Sequence, residues 1–277
     1  MTVLFALLSA LCYGTSDFVG GFMATRIPTW MSAFCAQVGG AVAMAVFALL
    51  TAGHPDAASL AWGAVSGVAT GVGILALYRG LAVGRMGVVA PISGVTGAIL
   101  PAAIGVAGGD RPSTIAWLGL ALALPAVFLV ARAPATESES GHGSGAMFGL
   151  LAGLGFGGGF AAIAQIPASA GHWPITLEMV TGAAFTALVA MIAREPWLPR
   201  TLTPWWAGAG GTLGAAALAL FLAANNHGML TVAAVLSSLY PAATVAWAVV
   251  LLKERIHRGQ AVGLAATALA VTLVAVG

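Results

Sequence analysis

GLALALPAVFLVA at Gly119–Ala131 returns 144 residues later as GLAATALAVTLVA at Gly263–Ala275. Eight of the thirteen positions are identical, with the shared Ala/Leu/Val bias raising the match. The same offset, without gaps, pairs Trp62 with Trp206, Gly67 with Gly211 and Ser93 with Ser237. It also pairs the charged turn Asp110-Arg111 with Glu254-Arg255. Self-similarity at one fixed offset is the signature of a repeated unit. The chain therefore reads as two copies, 1–133 and 146–277. Between them lies APATESESGHGSG (Ala133–Gly145), polar and without apolar periodicity, so 134–145 reads as a linker.

Composition names the solvent. Of 277 residues, 60% are hydrophobic and 6% charged, and the mean hydropathy is +1.00. Ordinary soluble domains carry about 25% charged residues. So few polar groups cannot cover a water-facing surface, which leaves lipid as the solvent for most of it. A spanning helix needs roughly 20 mostly apolar residues. Ten stretches qualify: 3–22, 30–52, 60–82, 86–107, 113–131, 146–166, 174–193, 204–224, 229–252 and 259–276. Barrel strands would alternate apolar and polar residues over ~10 positions, a pattern absent here. The expected fold is an all-α polytopic membrane protein with ten transmembrane helices. Five spans per copy is an odd number, so the second copy enters the membrane from the opposite side. The result is a pair of inverted five-helix repeats. The first span lacks the basic flank of a signal peptide. Cys12 and Cys35, inside spans 1 and 2, read as small apolar side chains.

Inverted repeats are common in secondary transporters, with the site near the bilayer midplane at the repeat interface. An old duplication with no transport role is the alternative reading. Span 9 carries Ser237-Ser238-Leu239-Tyr240-Pro241, then the turn Leu252-Lys253-Glu254-Arg255, then Gly259; span 1 carries Tyr13-Gly14-Thr15-Ser16-Asp17-Phe18. Over essentially its whole length the chain resembles the drug/metabolite transporter superfamily, in its ten-helix EamA-type branch. The resemblance rests on the span-9 proline, the L-x-E-R turn and the glycine after it. The first copy keeps a decayed version, Gly109-Asp110-Arg111-Pro112. The resemblance implies a basket of ten helices around a central cavity, moving small metabolites or drugs, often outward. In the usual first-span pattern of the branch, Tyr13 stands where a tryptophan is expected and Asp17 where an asparagine is.

A carboxylate in the hydrocarbon region costs ~2.5–3.5 kcal/mol on insertion scales and is a functional candidate by default. Of the eight acids, Asp17 and Glu178 lie within spans. Tyr13, four residues before Asp17, shares its helical face. Three readings of Asp17 stand: a proton-coupling or cation-binding group, a structural partner of Arg79 at matching depth in span 3, or a group reaching interfacial water. The related small multidrug resistance proteins place a carboxylate in their first helix, though in a different motif. Glu178, near the start of span 7, is expected toward the opposite leaflet, where the helix dipole favours it without any function. Proton coupling through it is the other reading. Ser237, Tyr240, Thr244 and Trp247 are spaced 3, 4 and 3 and share a stripe on span 9. Ser93 and Thr96 on span 4 are the repeat partners of Ser237 and Tyr240. Together these stripes suggest a cavity crossed by the pseudo-twofold axis, although helix–helix hydrogen bonding explains them as well. Gln37 on span 2 is a further candidate, and Tyr13, Asp17, Gln37 and Arg79 are expected to line one leaflet's side of the cavity. Gly149, Gly153 and Gly157 read as close helix packing.

The glycine-rich stretches lack the lysine of a phosphate loop, so a gradient, not ATP, is the expected driving force. Metal and nucleophile motifs are missing from the spans, so no cofactor and no catalytic group are expected. A polytopic enzyme acting on a lipid-linked substrate is the rival function. A non-transporting structural or sensor protein is a third. The expected partners are a small-molecule substrate and the bilayer, with no nucleic acid, and the protein is expected to be a monomer. Arginine outnumbers lysine nine to one and Ala and Gly dominate, as in a GC-rich bacterial genome, so the expected location is a bacterial inner membrane. Nine basic residues fall after spans 1, 3, 5, 7 and 9, against Arg111 alone on the other side. The positive-inside rule then puts both termini outside; the resemblance implies that both are inside.

Overall fold

The computed structural model describes residues 1–83, 86–131, 145–252 and 258–276. The expected linker, Arg85, Arg132 and the charged positions of the Leu252–Arg255 turn lie outside these. Among the described residues the chain is helical, with no strand. The first copy contributes α1 (Thr2–Ala24), α2 (Thr29–Leu50), α3 (Ala57–Val83), α4 (Met86–Ala107) and α5 (Thr114–Ala131). The second contributes α6 (Ala146–Ile163), α7 (Trp173–Ala193), α8 (Trp205–Asn226), α9 (Leu230–Ser237), α10 (Tyr240–Leu252) and α11 (Arg258–Val276). Five of these helices, α1, α2, α3, α7 and α8, are long and apolar enough to cross a membrane by themselves, and five shorter apolar segments accompany them.

The ninth span differs from the sequence expectation. It is two helices, α9 and α10, broken at Ser238-Leu239. Pro241 has no N–H to offer the Ser237 carbonyl, and its ring crowds that carbonyl. The chain tightens there instead, with Leu239 N donating to Leu236 O at 3.2 Å and Ala242 N to Leu239 O at 2.9 Å. The Ser238 hydroxyl donates to Val235 O at 2.8 Å.

Helix packing repeats the sequence symmetry. The offset relates α1 to α6, α2 to α7, α3 to α8, α4 to the α9–α10 span and α5 to α11. In agreement, α3 packs on α6 as α8 packs on α1, and α2 packs on α8 as α7 packs on α3. Likewise α4 packs on α6 as α9 and α10 pack on α1. The self-related pairs α2–α7 and α5–α11 meet across the axis. The matched glycines explain themselves at this level. A side chain on Gly211 would run into the Ala36 carbonyl on α2, and one on Gly67 into Glu178 and Thr181 on α7. Both permit the same close approach in equivalent interfaces.

The polarity is that of a protein dissolved in lipid. Leu49, Leu50, Ile192 and Val250 are exposed on the outside, whereas Gln37, Ser93, Glu178 and Ser237 are buried. The interior is built largely of Ala, Gly and Ser, small residues that let helices touch without a hydrophobic drive between them. The protein is thus an integral, multi-pass membrane protein of ten spans in two repeats.

Candidate functional site

A chamber of about 40 Å³ lies in the middle of the bundle. Its walls come from faces set by helical period. α1 supplies Tyr13, Ser16 and Asp17; α3 supplies Thr70, Ile74 and Tyr78; α6 supplies Phe156 and Phe160. These spacings of three and four residues each bring one face of a helix inward. Ala36 and Gln37 on α2, Met179 on α7, Gly211 and Gly214 on α8, and Tyr240 at the start of α10 complete it. Ser16 and Phe160 are related by the offset of 144, and so are Thr70 and Gly214. Two repeat-related pairs in one small wall place the chamber on the pseudo-twofold axis.

Tyr13 is the hub. Its ring lies edge-on to Phe160 at 5.6 Å and tilted to Tyr240 at 6.4 Å, while Phe160 reaches Phe221 at 4.5 Å. Tyr240 in turn shares a 3.0 Å hydrogen bond with the buried Ser93 hydroxyl, linking the two repeats. The chain has three tyrosines, and all three line this chamber. Membrane tyrosines ordinarily collect at the water interfaces. Tyrosines within apolar spans are the sequence signal for the site; Tyr78, in the last two turns of α3 beside the exposed Arg79, is the one that the sequence expectation lacks.

Of the expected residues, Tyr13, Asp17, Gln37 and Tyr240 meet in the chamber. Ser93 stands one bond behind, on Tyr240. Arg79 does not join them: it is exposed, while Tyr78 points inward. Successive helical residues are turned by about 100°, so a face that presents Tyr78 cannot also present Arg79. The structural Asp17–Arg79 pair is therefore not formed.

The polar stripe on span 9 is corrected too. Tyr240 alone of its residues lines the chamber, whereas Ser237, Thr244 and Trp247 tie α9 and α10 to α1. Ser237 Oγ donates to Ala6 O at 3.4 Å, Thr244 Oγ1 to Gly14 O at 3.1 Å, and Trp247 Nε1 to Thr15 Oγ1 at 2.7 Å. The break before Tyr240 ends the continuous helix on which the stripe was counted. Thr96 packs against Gly153 of α6, in the seam where Gly149, Gly153 and Gly157 meet α4.

Glu178 is the largest departure. α7 begins at Trp173, which puts Glu178 in its second turn, beyond the dipole's reach. It is 0% exposed, and both carboxyl oxygens lack a hydrogen-bond partner. The carboxyl faces the Thr70 hydroxyl without closing a bond of standard geometry. Tyr13 lies within electrostatic reach of both Asp17 and Glu178, so the two acids belong to one region rather than to opposite leaflets. Among the described residues no cluster of His, Cys, Asp and Glu fits a metal.

A solved crystal structure superposes on 99% of this chain and 96% of its own, with a TM-score of 0.71 at 15% identity, which speaks for the fold alone. No curated protein matches the sequence. The sequence model of the EamA-like transporter family matches residues 1–132 and again 143–276. With both halves matched, and with ten spans packed as two repeats, the chain belongs to the EamA-like transporter family, a branch of the drug/metabolite transporters.

Proposed function

We propose that the protein is a secondary carrier of a bacterial inner membrane that exports a small organic solute by alternating access, with the axial chamber as its solute site and Asp17 as its proton-coupling group. The observation that carries this reading is a chamber on the repeat axis whose largely apolar and aromatic wall includes an acid, an amide and three tyrosines. Sites of such carriers lie at the repeat interface near the midplane, where the two repeats rock about them. A water occupies about 10–15 Å³ on this measure of volume, so about 40 Å³ holds a few waters and no metabolite. On this reading the chamber widens to receive the solute. The broken α9–α10 span and its hydrogen-bonded seam to α1 supply an element able to move as two pieces. Tyr13, Tyr78 and Tyr240 give a semi-aromatic lining suited to a partly apolar solute. The carrier works as a monomer and takes no cofactor.

The test has two stages. Amino acids, polyamines and aromatic cations are first screened for thermal stabilisation of the purified protein. Flux of the best stabiliser is then followed in proteoliposomes with and without a pH gradient. Asp17→Asn is expected to abolish the response to the gradient. Wild-type rate and pH dependence in that variant would remove Asp17 from the mechanism.

A further inference from the structure

Among the described residues three buried side chains, Gln37, Glu178 and Thr186, carry polar atoms without a hydrogen-bond partner, and the first two lie together. Gln37 on α2 is 1% exposed, and neither its Oε1 nor its Nε2 is hydrogen-bonded; Glu178 on α7 is 0% exposed and equally unpartnered. Buried polar atoms are nearly always satisfied in folded proteins. A buried carboxylate without a counter-charge is among the costliest arrangements a protein can hold. The two groups are brought together by Gly182. A side chain there would collide with the Gln37 amide, so its absence lets that amide lie on α7, one turn from Glu178. Gln37 and Thr70 line the chamber, and the Glu178 carboxyl faces Thr70 from behind that wall. Among the described residues no protein cation stands by to answer a charge there. Every arginine among the described residues (Arg26, Arg79, Arg111, Arg194, Arg200 and Arg258) is exposed.

We infer that Glu178, Gln37 and Thr70 form a subsite for the ammonium group of the solute, which makes the solute a small primary amine. The inference rests on the carrier reading above. An alkylammonium brings three N–H donors and one positive charge. The site offers two carboxylate oxygens, the Gln37 amide oxygen and the Thr70 hydroxyl oxygen. The bound cation meets the acid's charge and fills acceptors that the protein leaves open. The Gln37 Nε2 remains to donate to the carboxylate or to an acceptor on the solute. Asp17, on the α1 wall, stays free for its own part in coupling.

The probe is n-butylammonium, set against butan-1-ol, which has no charge, and butyltrimethylammonium, which has no N–H. Thermal stabilisation of the purified full chain is measured at equal concentrations of each. Wild type is expected to be stabilised by n-butylammonium and not by the other two. Glu178→Gln keeps shape and removes charge, and is expected to weaken the response about tenfold, as loss of a charge-assisted contact does. Gln37→Leu is expected to weaken it as well, and decides the matter if Glu178→Gln does not fold. An undiminished response in Glu178→Gln, or an equal response to butan-1-ol, would overturn the subsite. The carrier reading would survive that result, because it rests on flux through the chamber, measured separately in proteoliposomes.

Discussion

Asp110 offers the sharpest test of how the two repeats are fastened. It sits in the α4–α5 turn of the first repeat, yet its Oδ2 accepts from both the backbone N–H and the Oγ1 of Thr231, each at 2.8 Å. Thr231 is the second residue of α9, and that helix has no side-chain cap of its own. Asp110 is therefore the N-cap of the broken span, supplied from the opposite repeat. Removing an N-cap side chain costs typically ~1 kcal/mol. A second hydrogen bond to a residue only 1% exposed adds about as much. The Thr231 hydroxyl keeps its 3.2 Å contact with Ala102 O, so the sum stays near 2 kcal/mol, roughly. For a chain of this size each kcal/mol moves Tm by about 2–4 °C, so Asp110→Ala is expected to lower Tm by about 4–8 °C. Asp110→Asn retains one acceptor and should fall between the two. Tryptophan fluorescence during heating of the detergent-solubilised protein gives Tm, and hydrogen exchange locates the loosening at the first turn of α9. A Tm within about 1 °C of wild type, with unchanged exchange at Thr231, would refute the cap.

Two further outcomes follow from the same packing. Gly67→Leu and Gly211→Leu drive a side chain into backbone on α7 and α2 respectively. Overpacking costs typically 1–3 kcal/mol, and rigid helix backbones leave little room to yield, so both variants should lose their monodisperse peak in size-exclusion chromatography. A normal peak and normal Tm for either would mean that the matched glycines do not set the helix spacing. His172, in the turn before α7, is held below the usual histidine pKa by burial; its Nδ1 meets the Thr51 hydroxyl at 3.0 Å and its ring abuts Phe47 at 4.6 Å. The folded state thus takes up this proton less readily than the unfolded one. The stabilisation is complete above the unfolded pKa, near 6.5, and is lost progressively as pH falls from there through the lowered folded value. Tm should drop between about pH 7 and pH 5, and less so in His172→Gln; an equal drop in that variant would clear His172 of the effect.

The sequence by itself determined the solvent, the number of spans and the twofold plan. Composition excludes water as the main solvent, spans follow from apolar length, and an odd number of spans per copy forces inversion. Each is a one-dimensional property, readable without knowing which helix touches which. It also pointed to Tyr13, Asp17, Gln37 and Tyr240, because polar groups in an apolar run are conspicuous wherever they face. Only the tertiary structure decided the facing. Tyr78 and Arg79 are neighbours in the chain, and helical rotation sends one into the chamber and the other out of it. Ser237, Thr244 and Trp247 looked like a lining, but the break before Pro241 and the approach of α1 turned them into a seam. Glu178 looked like a residue near the surface end of span 7, but it stands in the second turn of α7, with α2 and α3 packed against that helix. Burial and partnership depend on which helices meet, and local sequence carries no term for that.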